Sequence, residues 1–514
     1  MLDFGPKLDL GNRVILSPDE IIQFSGLMIY KNVSALKEAI EKARKGEIDP
    51  EKTRKSLANT VGRAHASMDA MAGGVFYFCG DSSKMCDSAF TGAVFSNAHM
   101  TSGRRTEVGT DEEEIIVPRA INQFGGRALE VYLEASHNHI TASKALRERG
   151  VVKQEAAKIL HYGIVGGGTI FLSVKTIADF AKFQLDQPLP VECKEMIGQL
   201  EKAVRDNGAS ILLEARKRAP RMCYPNPSIF RNEDNEASEI AGKLYKNGWE
   251  NPLLLHAHVP DSRLLEKRVK EYVSLLNKAH ESEQSFKDNK ENLAQIARAI
   301  AGDFPSFSVS LAEFVPWRVW GEDKRHRTVA QSVEPIYYAI GRAEAFLFQS
   351  KQRELTPNYV RQFFSVPKSI AEDPENMNIW MDQIEEGLSV YRSLIKTGID
   401  KSDAVYVVPR GIKLALVKRY DLYNTLFGGF IPLRMCTTAE PEMCATTHKE
   451  AAMLKKVLPE YMHSLLNPKC NQVGCSEEIF GKKCSTAKTF MPWYDIDAHE
   501  RSNSERQNAI MDAI

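Results

Sequence analysis

The chain has 514 residues and carries 67 Lys and Arg against 67 Asp and Glu, a formal net charge of zero. That balance supplies no global attraction to nucleic acid or to an anionic membrane, and no apolar run approaches the ~18 residues of a membrane span. Hydrophobic residues make up 43%, enough for sizeable cores, and the length suggests roughly two to four domains. The N-terminus Met-Leu-Asp-Phe-Gly-Pro-Lys lacks the pattern of a secretory signal, so a cytoplasmic protein is expected.

In chain order, residues 19–62 read as helical. Ser34 stands as an N-cap before an amphipathic run that stops at Gly46. A helix restarts over 51–71, and the aromatic, β-branched segment Gly73–Cys79 reads as a strand. Helices are expected over 126–149 and 152–160, then one long charged helix over 194–218. The proline-rich stretch that follows Arg218 (Pro220, Pro225, Pro227) breaks the pattern and places a domain junction at about 218–235. Further helices are expected over 236–247, 261–283 and 285–302, a strand over 306–314, and helices over 379–397 and 448–466. The polar segment after about 490 reads as a disordered tail.

A long internal repeat organises the chain. Gly150–Ile164 aligns without a gap to Gly398–Ile412 at an offset of 248, matching Gly150/Gly398, Lys153/Lys401, Ala156/Ala404, Gly163/Gly411 and Ile164/Ile412. Val117-Pro-Arg-Ala-Ile121 matches Val366-Pro-Lys-Ser-Ile370 at an offset of 249. A period this long is a domain duplication rather than a solenoid repeat. The expected division is a first domain over 1–225, a second over 226–490 and a tail over 491–514.

Three groups of residues invite chemistry. Arg325-His326-Arg327 concentrates cations that can grip phosphate oxygens through bidentate forks; the plain alternative is a solvated basic turn. Trp317, Arg318 and Trp320, just upstream, can stack a flat cofactor or pack a core. Cys470, Cys475 and Cys484, with Cys436, Cys444, His448 or His463 nearby, can hold zinc or can be ordinary thiols. Gly163-Ile-Val-Gly-Gly-Gly168 lacks phosphate-loop spacing and reads as a tight turn.

In its context, Arg325-His-Arg327 resembles the signature of the flavin-dependent thymidylate synthases (the ThyX family), Arg-His-Arg-x-x-Ser-x-Asn-x-x-Ser-x-Arg. Other blocks follow in family order. Arg63-Ala-His65-Ala-Ser67, the Phe76–Lys84 segment and Ile116-Val-Pro118 lie in the first copy; Tyr391…Gly398…Asp403-Ala404…Pro409 and Asn424…Arg434 lie in the second. The resemblance implies an α+β fold of two tandem ThyX-like domains, each a central antiparallel or mixed sheet with long flanking helices. It implies FAD as cofactor, with Arg325, His326, Arg327, Asn424, Arg434 and His65 binding it. It further implies reductive methylation of dUMP to dTMP with methylenetetrahydrofolate and NADPH as co-substrates.

The departures are equally specific. Ala330 and Ser332 replace the signature's first Ser and its Asn, and Pro335 and Tyr337 replace its second Ser and last Arg. Gln331, Ser332 and Glu334 are then the substrate-binding candidates. The first copy lacks Arg-His-Arg but retains Ser102-Gly-Arg104, the catalytic candidates. Where the family places an arginine after a Glu-Ile pair, Glu442-Met443 is followed by Cys444 and Glu192-Cys193 by Lys194. Each copy is incomplete, so complementary sites in a homodimer acting on a small nucleotide are expected, with no nucleic-acid partner. Two alternatives stay open: a diverged flavin- or folate-dependent enzyme modifying another pyrimidine nucleotide or nucleic-acid base, and a non-catalytic nucleotide-binding scaffold.

Overall fold

A computed structural model describes most of residues 17–473, leaving out 21, 24–30, 32, 48, 62–71, 79–81, 101–113, 184–186, 220–224, 350–355 and 437–438, together with 1–16 and 474–514. The chain forms two compact units, and neither is a contiguous half. One comprises residues 1–232 and 367–410; the other comprises 233–366 and 411–514. Segment 367–410 therefore folds with the first unit, although the linear division at 225/226 assigns it to the second domain.

The first unit is built on strands β1 (Gly73–Phe78), β2 (Ser96–Met100) and β3 (Gly168–Ser173), in the order β1-β3-β2. Both pairings are antiparallel, with Phe76 opposite Ile170 and Ala98 opposite the same residue. The turn expected around Gly163–Gly168 is present, and Gly166 is there for a steric reason. A Cβ at Gly166 would lie 2.8–2.9 Å from the backbone of Ser83 and Lys84, and its N–H donates to Ser82 O at 2.8 Å. The long helix expected over 194–218 is two helices, Val191–Asp206 and Ser210–Arg218. They part at Gly208, whose φ of +80° ends the first helix.

The repeat shows itself inside this unit. Helix Gly126–Glu148 packs antiparallel to helix Pro374–Lys396. Near the middle, Asn138 donates to Glu386 at 2.6 Å, and these two residues are 248 apart, the repeat offset itself. His161 and Pro409, again 248 apart, form an isolated antiparallel bridge. At one end, Arg149 reaches Asn376 at 2.6 Å and Asp373 at 3.1 Å. Equivalent positions meeting each other is the geometry of a local two-fold axis. The two helices thus pair with each other around that axis within one chain.

Two imidazoles are sealed beside this axis. His139 and His161 are fully buried with ring centroids 5.5 Å apart. His139 Nε2 lies 3.1 Å from Gln383 O, and His161 Nδ1 accepts from Gly163 N–H at 2.9 Å. His139 Nδ1 and His161 Nε2 have no partner. Burial holds His139 down at about 4, and burial, then His139 and Arg410, holds His161 well below the usual imidazole range. The unfolded chain therefore binds protons first. Stability is unaffected above about pH 6.5 and falls as pH drops from there toward 4, by an amount on the order of 3 kcal/mol for His139. Thermal unfolding at pH 7.5, 6 and 5 should show this slope, and His139→Gln should flatten it; a wild-type profile as flat as the variant's would contradict the assignment.

The second unit carries β4 (Leu253–His258), β5 (Ser308–Pro316), β6 (Ala330–Val333) and β7 (Lys413–Tyr420), antiparallel in the order β4-β5-β7-β6. Helices Arg263–Ala279 and Glu283–Asp303 contribute Leu265, Val269, Tyr272, Leu293 and Ile300 to the core on one face. Helix Glu236–Lys246 covers Ala312, Phe314, Ala415 and Val417 on the other. A sheet covered on both faces explains why β5 and β7 are near-continuous apolar runs instead of alternating ones. The helix expected over 448–466 is Pro441–Leu454 followed by a 3₁₀ turn, Glu460–Leu465, because Pro459 cannot continue the first helix. No helix among the described residues is long and apolar enough to cross a membrane.

Candidate functional site

β5 ends at Pro316, and the helix Trp317–Asp323 follows directly. Its indole-rich start is core: Trp317 and Trp320 are completely buried, so they pack rather than offer an open stacking platform. The chain then turns tightly. Arg325 N donates to Glu322 O, His326 N to Asp323 O and Val329 N to His326 O. This turn presents Arg325 outward, holds Arg327 half-buried with Nη1 donating to Lys324 O at 2.7 Å, and points His326 inward.

His326 sits against Phe430 in an edge-on contact at 4.7 Å. Its Nε2 accepts from Arg434 Nε at 2.7 Å, and Arg434 Nη1 lies 3.7 Å from Glu322. Burial, then the charges of Arg434, Lys418 and Arg327, pushes the imidazole down to about 3. His326 is therefore a neutral acceptor that fixes the Arg434 guanidinium at the turn. Of the expected cofactor residues, Arg325, His326 and Arg327 lie on the turn, and Arg434 is tied to it through His326.

Asn424 does a different job. It is buried, donates to Asp421 Oδ1 at 2.9 Å and to Thr328 Oγ1 at 3.2 Å, and accepts from Phe430 N–H at 3.2 Å. Its amide ties the Arg-His-Arg turn to the Phe430–Arg434 helix. A Cβ on Gly429 would come within 2.5 Å of Asn424 Cα, so this close approach requires glycine.

The expected substrate residues are also committed to the scaffold. Gln331 donates to Asp323 O at 2.7 Å. Glu334 is buried, paired with Arg342, and accepts from Ala415 N–H at 3.0 Å. Ser332 is half-buried on β6. His65, Ser102 and Arg104 lie outside the described residues, as do Cys475 and Cys484. Cys470 is buried. His448 Nε2 lies 3.1 Å from Met435 O and His463 Nε2 2.9 Å from Leu458 O, and no group of three potential ligands among the described residues could hold a metal ion.

Behind the turn lies a set of residues that the sequence reading did not select. Lys418 on β7 donates to Glu313 on β5 at 2.5 Å and to Glu450 at 3.1 Å, all fully buried. Tyr420 OH donates to Glu450 at 3.0 Å. Lys418 also lies over the Phe430 ring at 4.5 Å. Buried Asp323, its Oδ1 unpartnered, lies within electrostatic reach of Lys418 and Glu313. Their sequence signal is the interruption of apolar strands, Leu-Ala-Glu313-Phe and Leu-Val-Lys418, by single charges.

Residues 266–460 match the family model of the thymidylate synthase complementing protein. Part of the chain is similar to the flavin-dependent thymidylate synthases. One such enzyme, from Thermococcus onnurineus, is 26% identical over 148 residues, covering 28% of this chain and 59% of the relative. Another, from Pyrococcus horikoshii, is 30% identical over 135 residues, covering 25% and 55%. The chain thus spans just over half the length of these curated relatives. A solved flavin-dependent thymidylate synthase from Helicobacter pylori, complexed with FAD and dUMP, aligns with 16% identity and a TM-score of 0.28, over 42% of this chain and 97% of that one. The family match encloses the Arg-His-Arg turn, His326's partner Arg434 and the buried cluster behind them.

Proposed function

We propose that the chain is a flavin-dependent thymidylate synthase that binds FAD through the turn at Arg325–Arg327. The observation that carries this reading is the Arg434–His326 pair: a histidine held neutral spends its acceptor on tying the Arg434 guanidinium to the turn that carries Arg325 and Arg327. Arg325, Arg327 and Arg434 give a donor set of the right sign and shape for a diphosphate. Bound FAD would supply the redox step of methylation. The residues of this chain would bind its phosphates, fix their register and exclude water through Phe430. The proposed reaction is conversion of dUMP to dTMP, with methylenetetrahydrofolate giving the carbon and NADPH the reducing equivalents, in a homodimer of 57.7 kDa chains.

A second reading has its own support. Ala330, Pro335 and Tyr337 depart from the signature, and Glu334 is spent on Arg342. A changed set of groups around the base favours a related pyrimidine substrate in place of dUMP. Incubation of the FAD-loaded protein with NADPH, methylenetetrahydrofolate and either dUMP or UMP separates the readings. The expected product is dTMP. Methylation of UMP with dUMP untouched would establish the second reading, and turnover of neither would remove both.

A further inference from the structure

We propose that Glu313, Asp323, Lys418, Tyr420 and Glu450 form a buried proton-storing site behind the Arg-His-Arg turn, and that anionic ligand binding at the turn makes it take up a proton. The second half of this statement rests on the cofactor reading above; the first stands on the cluster alone.

Three carboxyl groups share one ammonium in a region where Lys418, Glu313, Asp323 and Glu450 are all buried. If every carboxyl were ionised the cluster would carry a net charge of about two negatives in a dry core, which proteins avoid by protonation. The groups facing it do not cancel this. His326 is neutral, Tyr420 is held in its phenol form by burial and by Glu450, and Arg434 is matched by Glu322 at the rim. Arg327 lies on the turn outside. Glu313 Oε2, Asp323 Oδ1 and the nearby Trp320 Nε1 have no partners, as expected for a network whose protons move between acceptors.

The duplication provides an internal control. At the offset of 248, Lys418 and Tyr420 correspond to Ile170 and Leu172 of the first copy; at the offset of 250 that relates Glu442 to Glu192, Glu450 corresponds to Leu200. All three apolar residues are buried. The same scaffold therefore closes its core with aliphatic side chains in one copy. Charge in the other is not demanded by the fold, and buried ionic groups of this kind are as a rule no more stable than apolar ones. Retention beside a cationic turn points to use.

The direction of coupling follows from Coulomb's law. Two unit charges about 10 Å apart at an effective dielectric near 20 interact by roughly one pKa unit. A diphosphate at Arg325 and Arg327 raises the proton affinity of the carboxyls behind. Burial already lifts Asp323 to about 7 and Glu450, with Glu313 as the next cause, to about 8. Both groups are then poised near neutrality, so a small further rise draws a proton from solvent.

Two measurements on the full-length protein test the two halves. Infrared difference spectra of the ligand-free protein between pH 6 and pH 9 should show a protonated-carboxyl band at the acid end. Glu450→Gln and Asp323→Asn should each diminish it and together remove it. No such band in a folded wild type overturns the proposal. Calorimetric titration with FAD at pH 7.5, in buffers of low and high ionisation enthalpy, should reveal proton uptake on binding. Uptake should be lost in Glu450→Gln/Asp323→Asn, and in Glu450→Gln alone should fall while binding persists. FAD binding without uptake in the wild type overturns the coupling; absence of FAD binding fails the cofactor reading and leaves the infrared result to judge the proton site.

Discussion

Arg325→Ala/Arg327→Ala is expected to yield a folded protein that no longer retains flavin. Charge-assisted hydrogen bonds contribute about 1.5–3 kcal/mol each, so losing two guanidinium groups should weaken FAD binding by at least about a hundredfold. The fold should survive for local reasons. Arg325 is exposed, and the bond from Arg327 to Lys324 O belongs to a turn also held by three backbone hydrogen bonds and by Asn424. Flavin absorbance at matched protein concentration gives the occupancy, and circular dichroism checks the fold. Wild-type occupancy in the double variant would show that this turn is not where the cofactor's phosphates bind.

The second large effect is on stability. Lys418→Met should destabilise the second unit by about 3–5 kcal/mol, because Glu313 and Glu450 would remain buried without their cation. The transplanted set Lys418→Ile/Tyr420→Leu/Glu450→Leu should cost less than the single change, since it leaves one of Lys418's two paired carboxyls, Glu313, without the cation instead of both. Such non-additivity is the signature of a coupled cluster. Urea unfolding of both variants measures it. A Lys418→Met protein as stable as wild type, or a triple variant far worse than the single one, would contradict the buried-charge account.

How much of this was legible in the sequence differs by element. The β1 strand, the helix near 126–149 and the start of β5 were readable because aromatic runs, helical periodicity and prolines act locally. Strands β2, β3, β4, β6 and β7 are not legible. β7 is apolar on both faces, so it lacks the alternation that marks a half-buried strand, and β6 is only four residues long. The repeat was fully visible as an offset of 248. Its structural consequence was not, because nothing local states that Gly126–Glu148 and Pro374–Lys396 pair with each other and draw 367–410 into the first unit.

The site divides in the same way. Arg325, His326, Arg327 and Arg434 were named from a motif, and the structure brings His326, Arg327 and Arg434 together. Asn424 was named for the cofactor, but its amide holds the turn to the Phe430–Arg434 helix. Glu334 was named for substrate, but it neutralises Arg342 and caps β7. Both side chains were identified by neighbourhood in sequence, which does not report which way a side chain faces. The Lys418 cluster shows in the sequence only as single charges interrupting apolar strands, because its members come from β5, β7 and two helices that only folding brings together.

The central claim is that the turn at Arg325–Arg327 is a flavin site. The most direct measurement is equilibrium titration of the purified, flavin-stripped wild-type chain with FAD, followed by flavin fluorescence and absorbance. The account predicts saturable binding with a perturbed flavin spectrum, weakened at high salt because the contacts are charged. A folded protein that takes up no FAD at any salt concentration would contradict it.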